Sequence, residues 1–268
     1  MTFEDYVAAW HQASESLLEV CNQLPDADWA AATECPGWSV KDIAAHVTGV
    51  EAMLLGRPRP KLDGPVDAPY IRNDLGRLVE VDVQARRPLP PATVLAELRE
   101  VLAERHRTLR ESPPDPDAPT VWVQGPTTMT GMMRLRVFDV WAHEQDIRRA
   151  TDRPGDLAGP AADVTRDLVI ASLPKAVAKL AGAAPGSVVA LRVTGATSFT
   201  VAVGVDANGR GALLAPPWPE PATTTLTLDW VELVRLACGR VDPTTAHVRY
   251  DGDVDLGRRV AAGLGITP

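Results

Sequence analysis

The stretch RVFDVWAHEQDIRRA, residues 136–150, has helical periodicity, yet it places ionisable groups where a helix should be apolar. At about 100° per residue, Asp139, His143 and Asp146 share a sector roughly 60° wide. Leu135 and Ala142 flank that sector on one side, and Val140 and Ile147 on the other. The opposite side carries Arg134, Glu144, Gln145 and Arg148, with Trp141 among them, and reads as the solvated face. A buried carboxylate without a partner is expensive, so the stripe demands complementary groups from another element. A helix of this kind belongs in a bundle whose facing helix answers it.

The segment ECPGWSVKD supplies a turn at Pro36-Gly37 and a helix start at Ser39, with Asp42 three residues on as a shorter relative of the capping-box glutamate. The helix predicted from Ser39 to Leu55 has Ile43, Val47, Val50, Met53 and Leu54 on its apolar face, and His46 falls inside that face. Two helices of one bundle thus each bury a histidine on the core side. Asp139 and His143, at i and i+4, reach one point, and His46 reaches it from across the bundle. Two imidazoles and a carboxylate form a familiar divalent-metal set, and bundle cores build metal sites from facing helices in this way. The competing reading is a pair of hydrogen-bonded core histidines. The two stay open at this point. His11, His106 and His247 read as structural. Cys35 precedes Pro-Gly and could be a nucleophile, but nothing near it in sequence lowers a thiol pKa, so it too reads as structural.

Further helices are predicted at 3–23, 71–86, 93–111, 130–151 and 160–181, the last with a possible kink at Pro174. The pattern then changes. SVVALRVT, SFTVAVGV, GALLA, LTLDW and HVRYDGD read as strands, with helices at 229–238 and 253–264. The division falls at RPGDLA: residues 1–153 form a four-helix-type bundle and residues 154–268 a small α+β domain.

The net charge of −8 excludes nucleic acid and anionic lipid as main partners, because both attract basic surface. No run reaches the roughly 18 apolar residues of a membrane span, and the acidic N-terminus lacks the apolar stretch of a signal peptide. A cytoplasmic protein is expected. Three scattered cysteines, Cys21, Cys35 and Cys238, make neither a disulfide framework nor a cysteine zinc site.

CPGWSVKDIAAHVTGVE followed downstream by RVFDVWAHEQDI resembles the mycothiol-dependent maleylpyruvate isomerase family. That family belongs to the DinB-like four-helix bundles and carries a smaller C-terminal α+β domain similar to sterol-carrier folds. Pro36, Gly37, Trp38, Ser39, Lys41, Asp42, Ile43 and His46 match its first motif, and Asp139 and His143 its second. The best-known isomerases carry Glu at the position of Asp139, so an ion would sit nearer the helix here. The resemblance implies that His46, Asp139 and His143 ligate a divalent ion, usually zinc. Its open positions would hold mycothiol as a thiolate, which attacks a small electrophile. The outcome is cis–trans isomerisation or S-transfer. Arginines number 23 against 4 lysines, a bias of GC-rich codons that agrees with the thiol of high-GC, actinobacterial species.

Two other readings remain. The ligand set also suits Fe(II) oxygenases, and the chain could be a non-catalytic, metal-stabilised binding or regulatory module. Asp146 separates module from enzyme: as a fourth ligand it would close the site, whereas beside His143 or in the pocket, with Trp38, it would leave it open. Its i+3 offset makes a bond to His143 of the same helix awkward. The C-terminal domain is expected to shape the pocket, and Arg240, in the turn CGRVDP, is the candidate to steer an anionic substrate.

Overall fold

The computed structural model describes residues 1–123 and 125–267. The fold is mixed α+β, and the chain divides into two compact units, Met1–Asp156 and Leu157–Pro268.

The first unit is a helical bundle. Its helix α1 (Phe3–Asn22) opens with a capping box between Thr2 and Asp5. A short 3-10 turn, Asp26–Ala30, leads to α2 (Val40–Leu54). Asp42 is long enough to complete the box: its Oδ2 accepts from the Ser39 backbone N–H at 3.0 Å while the Ser39 hydroxyl accepts from the Asp42 N–H at 3.3 Å. Helix α3 is Asp74–Arg86 and α4 is Pro91–Glu111. The helix starts two residues before the expected 93. Pro91 occupies the first helical turn, where its missing N–H has no partner to lose. A hairpin of β1 (Pro119–Trp122) and β2 (Gly125–Thr128) precedes α5 (Met129–Ala150) and was not foreseen, because its strands are short and proline-bearing. Helix α5 packs along α1, α2 packs along α4 and α3, and α1 meets α4 while α2 meets α5.

The solvated face expected on α5 is absent. Trp141 and Glu144 are both 0% exposed and Gln145 is 2%. The chain beyond the helix folds back over them: the Trp141 indole donates to the Asp156 carbonyl at 2.8 Å and the Gln145 amide to the Gly155 carbonyl at 3.2 Å. Ser16 and Arg148 both donate to Glu144 Oε1 at 2.6 Å. Polar side chains here satisfy buried backbone and each other, so polarity does not report exposure.

The second unit packs α6 (Pro160–Lys175), α7 (Trp230–Ala237) and α8 (Val254–Ala262) with a five-stranded sheet. The strands are β3 (Val188–Thr194), β4 (Phe199–Val205), β5 (Gly211–Leu213), β6 (Thr224–Asp229) and β7 (Arg249–Gly252), in spatial order β5-β4-β3-β6-β7. The pair β3–β6 is parallel and every other pair antiparallel. The single helix expected over 160–181 ends at Lys175 and passes into a π-helical turn, Ala176–Leu180. Pro174 lacks the N–H that would continue the ladder, and the chain recovers with a wider bond from the Ala181 N–H to the Ala176 carbonyl at 2.8 Å. No helix among the described residues is long and apolar enough to cross a membrane.

Candidate metal centre

The centre is assembled by one turn and two helices of the first unit. Residues Cys35–Trp38 form a type II turn, closed by the Trp38 N–H donating to the Cys35 carbonyl at 3.1 Å. Pro36 presets the first corner and Gly37 takes the positive φ of the second, at 77°. A Cβ at Gly37 would also lie 2.2 Å from the Tyr70 ring, so glycine is required twice over. The turn delivers Trp38 onto both bundle histidines: its ring centroid is 5.0 Å from that of His46 and 6.0 Å from that of His143. Behind it, the buried Glu80 carboxylate accepts from the Trp38 indole and from the Tyr70 hydroxyl, each at 2.8 Å. Arg87 pairs with Glu80 at 3.2 Å and with Asp42 at 3.0 Å.

His46, Asp139 and His143 come together as one of two groups among the described residues that offer three ligand atoms within 4.8 Å of one another. His46 Nε2 is 3.5 Å from Asp139 Oδ2, and His143 Nε2 is 3.7 Å from Asp139 Oδ1. Neither ring nitrogen of His46 makes a hydrogen bond, although both are buried. An ordinary core histidine would satisfy at least one of them with a well-formed bond. Ligand atoms each about 2.1 Å from one tetrahedral ion stand about 3.4 Å apart, close to these separations. The residues therefore fit a divalent ion.

The protonation states fit as well. Burial lowers the His46 pKa against the opposing pull of Asp139, so the ring is held neutral, the form that ligates. Burial alone would raise the Asp139 carboxyl, but Arg136, with His143 and His46, outweighs it and holds the group well below the usual carboxylate range. Arg136 was missed in the sequence, although it lies on the same apolar sector three residues before Asp139. Its Nη1 donates to Asp139 Oδ2 at 2.5 Å, while Nε and Nη2 donate to Glu51 Oε1 at 3.0 and 2.8 Å. Glu51 is 1% exposed and also accepts from the Trp10 indole at 3.0 Å.

Asp146 lies on the other edge of the His143 ring. Its Oδ2 is 3.0 Å from His143 Nδ1, so the bond judged awkward at i+3 does form. The carboxylate accepts, which places a ring proton on Nδ1 and turns Nε2 toward Asp139. Asp146 Oδ1 accepts from Arg149 at 2.7 Å, and Arg149 reaches Glu34 at 2.8 Å. The Cys35 thiol, 6% exposed, donates to Asp146 Oδ2 at 3.1 Å. The side chain of Asp139 is 30% exposed against 7% and 8% for His46 and His143, so the centre opens on the Asp139 side. His11 and His106 stack on each other with centroids 3.5 Å apart and belong to neither ligand group. Arg240 is in the second unit, where Nη1 donates to the Cys238 carbonyl at 2.6 Å.

Among curated proteins, none matches the chain. Solved structures share its fold, among them the following two. A crystal structure of the mycothiol-dependent maleylpyruvate isomerase superposes with a TM-score of 0.57 at 16% identity, covering 94% of this chain and 93% of that one. A His-to-Ala mutant of the mycothiol-dependent maleylpyruvate isomerase gives 0.53 at 14% identity, with the same coverage of 94% and 93%. Family models match over most of the length: the mycothiol maleylpyruvate isomerase N-terminal domain over residues 10–148 and the corresponding C-terminal domain over residues 163–259. With a bundle that presents this ligand group and an α+β unit behind it in the chain, the protein belongs to the mycothiol maleylpyruvate isomerase family.

Proposed function

We propose that the chain is a metal-dependent, mycothiol-using isomerase or S-transferase acting on a small electrophile at the His46–Asp139–His143 centre. One observation carries the reading: two imidazoles and a carboxylate from facing helices converge within 4.8 Å, and both nitrogens of the buried His46 lack a hydrogen-bond partner. The N and O donor set favours zinc. A divalent ion there supplies a Lewis acid that keeps a thiol cofactor as its nucleophilic thiolate.

The chain's residues set up that chemistry. Asp139 stays ionised because Arg136 outweighs its burial. Asp146 fixes the His143 tautomer through Nδ1. Trp38 walls the two histidines on one side, and the exposed edge of Asp139 leaves an approach on another. A thiol bound there would supply a nucleophile for reversible addition to a cis-enoyl acid, which would allow rotation to the trans acid, while Asp139, His143 and His46 would hold the ion and Trp38 would wall the site. With an epoxide the C–O bond would open and take a proton, and with a halide the halide ion would leave, so that the product in each case would be a thioether. Arg240 is the proposed steering group for an anionic substrate.

The test is cobalt substitution. Adding mycothiol to the cobalt protein should produce a new thiolate-to-cobalt charge-transfer band, and Asp139→Ala and His143→Ala should not show it. No spectral change on adding mycothiol to a fully loaded protein would favour the binding-module reading.

A further inference from the structure

We infer that the opposite edge of His143 is a second metal position, formed by Cys35 Sγ, His143 Nδ1 and Asp146 Oδ2 and suited to a thiophilic divalent ion such as zinc or cadmium. It is the other group of three ligand atoms within 4.8 Å among the described residues, and all three residues are buried. Sγ and Nδ1 stand 3.1 and 3.0 Å from the same carboxylate oxygen. These two sides, meeting at Oδ2, need to widen only by a few tenths of an ångström to take an ion at about 2.3 Å from sulfur and about 2.0–2.2 Å from nitrogen and oxygen, and the third lies within 4.8 Å. Its donors differ in kind from those of the first centre. A thiolate in place of one imidazole shifts preference toward soft ions.

The surroundings suit a cation. Arg149 bonds Asp146 at Oδ1 and leaves Oδ2 facing the triangle, and Glu34, next to Cys35 in the chain, compensates the Arg149 charge at 2.8 Å. The turn that sets Trp38 also fixes Cys35, whose carbonyl closes it. Binding needs no oxidant or reductant. The ion forms three bonds, to Sγ, Nδ1 and Oδ2, and the thiol proton leaves to solvent. The Nδ1 proton also leaves to solvent, or moves to Nε2 where that nitrogen carries no ion. When both positions are filled, one imidazole bridges two ions.

Cadmium(II) titration of the metal-free full-length protein tests this. The expected result is two ions per chain, with an ultraviolet thiolate-to-cadmium band whose amplitude corresponds to one sulfur ligand. Cys35→Ser, which keeps a hydrogen-bond donor toward Asp146, should bind one ion without the band, whereas Cys21→Ala and Cys238→Ala should keep it. His46→Ala should lose one ion and retain the band. That pattern separates this position from the first centre, because loss of the first centre leaves the sulfur signal intact. Absence of the band at saturating cadmium, or its persistence in Cys35→Ser, overturns the proposal. Should Cys35→Ser misfold, cadmium-113 NMR of the unaltered protein decides: two resonances, one in the region of a single sulfur ligand, support it, and nitrogen/oxygen-type signals alone overturn it. The cobalt experiment with mycothiol is then best run in the Cys35→Ser protein, where the only possible new sulfur ligand is the added thiol.

Discussion

Replacing Arg136 with methionine tests the buried charge network that supports the centre. Arg136 is 2% exposed and makes two bonds to Glu51 and one to Asp139. Its removal strands the Glu51 carboxylate at 1% exposure. Removing one partner of a buried pair costs about 3–5 kcal/mol, because the other charge is left uncompensated. Two groups soften the loss here: the Trp10 indole stays on Oε1 at 3.0 Å, and Arg105 Nε stands 3.5 Å from Oε2. The lower end therefore applies, about 3 kcal/mol, or a midpoint lower by about 6–12 °C for a unit of this size. The double variant Arg136→Met/Glu51→Met removes this pair but leaves Arg105, 6% exposed, without Glu51, so it should regain only part of the loss. Urea unfolding of the metal-free protein, followed by the fluorescence of buried Trp10 and Trp141, measures all of these. The reasoning fails if Arg136→Met costs under about 1 kcal/mol, or if the double variant is no more stable than that single one. A second readout follows from the sign of the Asp139 shift. Arg136 is its largest pKa-lowering neighbour, so in Arg136→Met protons should displace the ion at a higher pH during acid titration.

Asp146→Asn should weaken ion binding at the first centre by about 10–100-fold in chelator competition, because the His143 ring loses its anionic anchor. An unchanged affinity would show that the ring is held by packing alone. Gly37→Ala forces a Cβ into the Tyr70 ring at a φ of 77° and should cost about 1–3 kcal/mol in thermal unfolding, with reduced ion affinity as Trp38 shifts. Parent-like stability and affinity would refute the role given to that turn. Burial raises the Glu144 pKa from 4.5 to about 7 despite its bonds to Ser16 and Arg148. The folded state then holds the proton more tightly than the unfolded one, so the stability it contributes is present below about pH 4.5 and is lost as pH rises to about 7. Glu144→Gln should flatten the stability profile in that window, and an unaltered slope would refute the assignment. Arg240→Ala should raise KM for an anionic electrophile and leave KM for a neutral one unchanged, and equal effects on both would remove the steering role.

The parts of this molecule legible in the sequence are those written in periodicity and local chemistry. Ser39 and Asp42 announce where α2 begins, and the helical period then places His46 on the same side as Val47 and Val50. The i,i+4 offset of Asp139 and His143 is likewise local. What escaped depends on partners distant in the chain. Glu144 looks solvated on a wheel because its partners include Ser16, 128 residues away. Glu80 gives no sign in sequence that it holds Trp38 from 42 residues away. The bond from His143 to Asp146 was misjudged for a different reason: the side-chain rotamers on one helix bring i and i+3 together more readily than the spacing suggests. Pro174 marked trouble in its helix, but periodicity could not say whether the chain would kink, stop or widen into a π turn.

Packing of the middle of α5 against α1 and α2 has a consequence for exchange and turnover of this protein. Two of the three side chains at the first centre ride on that helix, next to Val140, Trp141 and Ile147, each 0% exposed. No fraying end carries them, and their amide hydrogens, in the middle of a 22-residue helix, exchange with solvent only when α1 and α2 separate from it. Backbone exchange there and cleavage of the first unit therefore share one opening event, whereas a small molecule reaching the exposed edge of Asp139 needs none. Slow backbone exchange at Asp139 and His143 and resistance of the first unit to proteases should rise and fall together, because each waits for the same rare excursion.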